Sequence, residues 1–156
     1  MRYYIAYGSN LNKRQMMARC PHARAVGTSE IKDYRLLFKG SRSGAYLTIE
    51  KEKGQSVPVG IWEVDESDER NLDRYEGFPV FYYKENMRLP VKDDAGNIEE
   101  LDCFVYIMHE DRMLGLPSEY YMAICGLGYE SFGFDASPLF DAYEYTAKHM
   151  RKARHD

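Results

Sequence analysis

The chain has 156 residues, of which 44% are hydrophobic and 29% charged, the size and balance of one folded domain and not of a disordered or collagen-like chain. Its 21 Lys and Arg stand against 25 Asp and Glu for a formal charge of −4, the wrong sign for a protein whose affinity comes from neutralising phosphates, so nucleic acid is not expected as a main partner. Cys20, Cys103 and Cys125 lack CxxC spacing and suggest neither a paired disulfide framework nor a four-cysteine zinc site. Charged residues interrupt every apolar stretch before it reaches the length of a membrane span. The expectation is a cytoplasmic protein in a reducing compartment, one domain over residues 1–156, with 135–156 forming a C-terminal helix and basic tail.

Tyr3 to Tyr7 is aromatic and β-branched and ends at Gly8-Ser9-Asn10, which reads as a strand entering a loop. Asn12 is placed to cap a short helix, with Gln15 reaching back and Pro21 closing the segment. Short extended stretches follow, Tyr34 to Phe38, Ala45 to Ile49 and Val57 to Val64, separated by breaks containing glycine and serine. Pro58 marks an edge or a strand start, because proline donates no ladder hydrogen bond. Asp65 or Ser67 is expected to cap a helix carrying Leu72 and Tyr75, and Gly77 to end it in left-handed backbone, which puts Glu76 at a helix terminus. Phe81 to Leu89 and Leu101 to Met108 flank the turn residues Lys92 to Asn97 as a hairpin. Ser118 is expected to cap a helix that exits near Gly126 and Gly128, and Ser137 a last helix with Pro138 in its first turn. Lys148, His149, Arg151, Lys152, Arg154 and His155 then suit the negative end of that helix's dipole.

No P-loop, GxGxxG or GxSxG motif is present, and His109-Glu110-Asp111-Arg112-Met113 lacks the second histidine of HExxH. No metal, nucleotide or redox cofactor is expected. Tyr7-Gly8-Ser9-Asn10 after a strand is a candidate anion cradle, because a glycine loop feeding a helix can aim backbone amides at a carboxylate. The plainer alternative is a β-to-α turn in which Ser9 or Asn10 bonds its own backbone. Leu72-Asp73-Arg74-Tyr75-Glu76-Gly77-Phe78-Pro79, followed by Phe81, Tyr82 and Tyr83, sets a carboxylate among aromatics. There desolvation would raise its pKa towards that of a useful proton-transfer group, whereas an exposed helix-end glutamate would do nothing of the kind. Pro117-Ser118-Glu119-Tyr120-Tyr121 offers phenols at a helix start for a ligand or for ordinary packing.

Taken in order, Tyr7-Gly8-Ser9-Asn10-Leu11, Val59-Gly60-Ile61-Trp62, Leu72-Asp73-x-x-Glu76-Gly77, and Pro117-Ser118-x-Tyr120 with Ile124-Cys125-Gly126 resemble the gamma-glutamylcyclotransferase-like family. The resemblance spans roughly residues 3 to 130. It implies an α+β fold, a small mixed β-barrel with peripheral helices and a pocket at the barrel mouth. It also implies that Glu76 transfers the proton, that Tyr4, Ile5, Ala6, Tyr7, Gly8 and Ser9 bind substrate, and that Tyr120 is the ligand-contacting tyrosine. Asn10, Tyr83 and Tyr106 match less distinctive pocket-wall positions.

The implied reaction turns a γ-glutamyl amide or γ-glutamyl amino acid into 5-oxoproline and a free amine. The substrate's own α-amine attacks its γ-carbonyl, so folding the substrate replaces an enzyme nucleophile, and one glutamate can shuttle the proton. The implied partner is a small γ-glutamyl substrate, with a homodimer possible. Other readings are a cyclotransferase acting on a γ-glutamylated biosynthetic intermediate, a non-catalytic small-molecule-binding module of the same fold, and an interaction protein using its aromatics as a surface patch.

Overall fold

The computed structural model describes residues 1–41 and 44–155. The side chains of Arg151, Lys152, Arg154 and His155, considered above, lie outside what it describes. Six strands run through the chain: β1 Arg2–Ala6, β2 Arg24–Ser41, β3 Gly44–Val64, β4 Tyr82–Lys92, β5 Ile98–Met108 and β6 Met113–Leu114. The helices are α1 Lys13–Arg19, α2 Glu66–Glu76, α3 Glu119–Ser131 and α4 Ser137–His155, with a single 3-10 turn over Ser9–Leu11. Among the described residues, no helix is long and apolar enough to cross a membrane.

The strand order β3-β1-β5-β4-β2 closes on itself through the β2–β3 pairing, giving a five-strand mixed barrel to whose β2 the short β6 is added. The pairings are antiparallel except that of β1 with β5. The α+β barrel expected from the sequence is the fold observed. The strands are buried on both faces in places: Ile5, Phe38, Leu47, Ile49 and Val105 are almost fully buried, as are the consecutive Ile61 and Trp62, which point to opposite faces of β3.

The middle of the chain is more continuous than its composition suggests. The three short stretches expected between Tyr34 and Val64 belong to two long strands, and Arg24–Lys32, which the sequence reading left unassigned, is the first half of β2. Bulges between Ala25 and Gly27 and between Lys32 and Tyr34 bend the ribbon around the barrel without ending it. Asp33 sits at the second bulge with φ 63°, and its carboxylate accepts the Gly54 amide at 3.0 Å. Pro58 lies opposite Glu30, beyond the Ala6–Gly60 pair where β1 ends, so its missing N–H faces no strand on that side.

The helix starts follow their caps. The Asn12 side chain accepts the Gln15 amide, Asp65 and Asp68 form a reciprocal capping box, and the Ser118 hydroxyl accepts the Tyr121 amide. Gln15 does not reach back as expected, because its amide oxygen is taken by Arg19. At α4 the capping carboxylate is Asp135, which accepts the Ser137 amide at 2.8 Å, so Ser137 is inside the helix and is not its cap. Gly126 and Gly128 do not end α3, which runs on to Ser131.

Gly128 has a packing role. A Cβ on it would stand 2.6 Å from the Asn12 nitrogen and 2.7 Å from the Leu11 carbonyl carbon, so only glycine lets α3 lie directly on the 3-10 turn. Gly128→Ala is therefore expected to lose roughly 1–3 kcal/mol in urea unfolding. Gly126→Ala, whose new methyl meets nothing within 4 Å, should lose none.

Candidate active site

The turn after β1, the end of α2, the start of β3 and Tyr121 of α3 enclose a cavity of about 280 Å³, a volume suited to a small ligand. Its floor is buried: Tyr4, Tyr7, Leu47, Tyr82 and Tyr106 are each less than one-tenth exposed. Its mouth is open, with Tyr46 43% and Tyr75 44% exposed beside Arg74 and Gly77.

Glu76 enters this space because α2 stops there. Gly77 turns left-handed at φ 63° and its amide bonds back to Arg74, while the Phe78 amide donates to the Asp73 carbonyl at 2.9 Å. Together these bonds make the Schellman arrangement that glycine permits. Glu76 is half-buried and lines the cavity. Burial in surroundings poorer in water than solvent pushes its carboxyl up to about 8, against the opposing pull of the Arg19 guanidinium. Burial likewise raises the phenols of Tyr4, Tyr7, Tyr75, Tyr82, Tyr106 and Tyr121, and the charge of Glu76 adds to each shift. The tyrosines thus stay neutral, polar-edged walls.

Those walls are fixed by hydrogen bonds that also tie strand to helix. Tyr7 donates to the Tyr106 carbonyl at 2.7 Å, Tyr82 to the Leu47 carbonyl at 2.9 Å, and the Leu47 amide donates to the Tyr121 oxygen at 3.1 Å. Tyr106 donates to Asp73 at 2.6 Å, and Asp73 is itself held by Lys84 at 2.7 Å. Arg19 joins the glycine turn to α2. It donates to the Asn10 side chain at 2.7 Å and stacks 3.7 Å over the Tyr75 ring, whose hydroxyl meets Ser9 at 3.2 Å. Asn10 in turn donates to Tyr4 at 3.0 Å and accepts Trp62 Nε1 on its carbonyl at 3.1 Å.

Chemically, the cavity offers one carboxyl of raised pKa, a set of neutral phenols and the backbone of a glycine turn. The Ser9 and Asn10 amides precede the first i→i+3 bond of the 3-10 turn, from Leu11 to Gly8, so neither has a partner inside it. The three thiols are free and buried, and burial raises Cys20 to about 12, Cys103 to about 11 and Cys125 to about 12, which disfavours a thiolate nucleophile. His22, Asp65 and Asp68 lie close enough together to suggest a cation site, but their oxygens serve the α2 capping box and the His22 amide.

Residues 4–123 match the family model described as gamma-glutamyl cyclotransferase, AIG2-like. The chain belongs to this family of cyclotransferase enzymes. It is 27% identical over 129 residues to the gamma-glutamylcyclotransferase of Homo sapiens and 28% identical over 131 residues to that of Bos taurus. In each case the match covers 78% of this chain and 67% of the relative. A solved gamma-glutamyl cyclotransferase superposes with a TM-score of 0.76 at 25% identity, covering 94% of this chain and 85% of that one. YkqA from Bacillus subtilis, at 19% identity and a TM-score of 0.70 over 97% of this chain and 53% of its own, shares the fold.

Within this cyclotransferase-family barrel the sequence-derived candidates separate. Glu76, Tyr4, Tyr7, Gly8, Ser9, Asn10 and Tyr106 all line the one cavity. Ile5 and Ala6 are buried in β1 and do not line it. Tyr120 is 71% exposed and lies outside. The Ser118 cap sets the phase of α3 so that Tyr121, Cys125, Gly128 and Tyr129 form its inward stripe, and Tyr121 takes the place expected for Tyr120. Tyr83 also points away, donating to Glu110 and packing on His109; strand alternation gives the inner position to Tyr82. Arg19, Tyr46 and Leu47 were not singled out by the sequence, and Arg74, Tyr75 and Phe81 stood there only as neighbours of Glu76 with no role of their own.

A carboxyl at about 8 when folded and 4.5 by its ordinary value binds more protons in the native state, so it destabilises the fold as pH rises through that window. Glu76→Gln removes the effect. Its stability relative to the parent should increase from pH 4.5 to pH 8 and then level off in pH-dependent denaturation. Arg19→Gln should extend the decline above pH 8; identical pH profiles for parent and Glu76→Gln would contradict the assigned burial.

Proposed function

We propose that the protein cyclises the γ-glutamyl group of a small amide, releasing 5-oxoproline and the amine, with Glu76 as the proton acceptor and donor. The observation that carries this reading is the shared cavity: the raised carboxyl of Glu76 and the turn Tyr7 to Asn10 line the same enclosed space. Membership of the cyclotransferase family supports the reaction class.

The chemistry asks for geometry first. The substrate α-nitrogen bonds to its own γ-carbon, closing a five-membered ring, and the bond from that carbon to the departing nitrogen breaks. Bending the ligand within a small cavity brings these atoms together without an enzyme nucleophile. Two protons leave the α-ammonium nitrogen and two arrive on the departing amine, so a single carboxyl that takes one and returns it can serve successive steps. A pKa near 8 lies much closer to that of an amine than an ordinary glutamate does, which lowers the penalty for the transfer. In the empty site the carboxyl is largely protonated at neutral pH; an arriving ammonium favours its charged form.

The amides after Gly8 are the group suited to the substrate carboxylate or to the oxyanion that develops on the γ-carbonyl. A Cβ at Gly8 would stand 3.3 Å from the Tyr121 hydroxyl and 3.4 Å from Leu47, inside the volume a ligand would use. Tyr4, Tyr7, Ser9 and Tyr121 are the proposed contacts, and Ile5 and Ala6 act by seating the turn on the barrel. The unpaired thiols favour a reducing, cytoplasmic setting.

Glu76→Gln keeps the shape and removes the titrating group, so 5-oxoproline release from γ-glutamyl substrates should fall about 10²–10⁴-fold with binding largely kept. The kcat/KM of the parent should rise with pH to a midpoint near 8. Binding of γ-glutamyl ligands by the parent without any 5-oxoproline would instead make it a non-catalytic binder.

A further inference from the structure

The cavity's charges are sparse and ordered. Among the described residues that line it, Glu76 carries the one carboxyl and Arg74 the one cationic side chain. They lie two positions apart in the last turn of α2. Glu76 is half-buried, whereas Arg74 is exposed and shares the mouth with Tyr46 and Tyr75. Arg74 bonds to the Asn71 side-chain oxygen, a neutral acceptor three residues back on its own helix. One such contact leaves most of the five guanidinium donors free for a ligand.

The proposed reaction divides its substrate in the same way. The γ-glutamyl half is the part that must bend, and it needs Glu76 and the buried turn. The amine that departs is attached at the γ-carbon and must lie on the solvent side to leave. The mouth therefore meets the leaving group, and its chemistry is aromatic with one guanidinium.

We propose that Arg74 is a specificity-determining residue that binds a carboxylate on the departing amine, so that the enzyme prefers γ-glutamyl amino acids with apolar or aromatic side chains to γ-glutamylamines lacking that carboxylate. The inference rests on the cyclotransferase reading above. A guanidinium fork matches a carboxylate in two parallel hydrogen bonds, and the rings of Tyr46 and Tyr75 give the adjacent side chain an apolar surface. An amine with a cationic tail would meet the guanidinium as a like charge.

Two substrates that differ by this one group test it: γ-glutamyl-phenylalanine and γ-glutamyl-phenethylamine, assayed for 5-oxoproline release by the full chain. The parent should favour the first by about tenfold in kcat/KM, the ratio expected of one exposed charge-assisted contact. Arg74→Gln should bring the ratio towards one, Arg74→Lys should keep part of it because charge remains while the fork is lost, and added salt should erode it in the parent. Loss of a merely structural arginine would slow both substrates alike and leave the ratio where it was. Equal use of the two by the parent, or an unchanged ratio in Arg74→Gln, overturns the role of Arg74 while the cyclotransferase reading stands. Release from neither substrate overturns that reading, and this inference with it.

Discussion

Burial raises the Glu76 carboxyl to about 8 because the end of α2 delivers it into an enclosure of phenol rings where water would otherwise stand. A helix terminus alone would leave such a group in solvent. The enclosure needs Gly77 to turn the backbone away at once, and it needs the tyrosines to be held by partners other than the carboxyl. Tyr7, Tyr82 and Tyr121 bond to strand backbone, and Tyr106 to Asp73. The polar edges that surround Glu76 are thereby satisfied without neutralising it, which leaves its proton available to a ligand.

Two pieces of chain distant in sequence must meet for this to work, and Arg19 marks their junction. It touches Asn10 in the turn after β1 and Tyr75 beside Glu76. Gly128 lets α3 press on the same turn from the other side, and α3 brings Tyr121 with it. The floor of the cavity is thus built from barrel residues, Leu47 among them, and the mouth from Tyr46 of β3 with Arg74, Tyr75 and Gly77 at the end of α2. In the proposed reaction the γ-glutamyl group would lie with Glu76 and the glycine turn, and the leaving group at the mouth.

The local parts of this design could be read in the sequence. Asp65, Gly77 and Ser118 announced the helix limits, because capping depends on residues next to one another, and Glu76 stood out through its aromatic neighbourhood. The ordered motifs gave the barrel. What could not be read was phase and long-range pairing. The choice of Tyr121 over Tyr120 depends on which face of α3 packs against the 3-10 turn, and that of Tyr82 over Tyr83 on which side of β4 faces in. β2 looked like short pieces because bulges at Val26 and Asp33 interrupt its alternation while its pairing with β3 continues. Arg19 and Tyr46 carry no local signal at all, since their importance arises only when α1 and β3 are folded beside the cavity.

The most direct measurement is the titration of the Glu76 side-chain carbon by carbon-13 NMR, in the free protein and with a slowly turned-over γ-glutamyl ligand, Glu76→Gln serving to assign the signal. The account predicts a midpoint near 8 in the free protein and a lower one when the ligand's ammonium is bound. A midpoint close to the ordinary 4.5, unmoved by ligand, would contradict it.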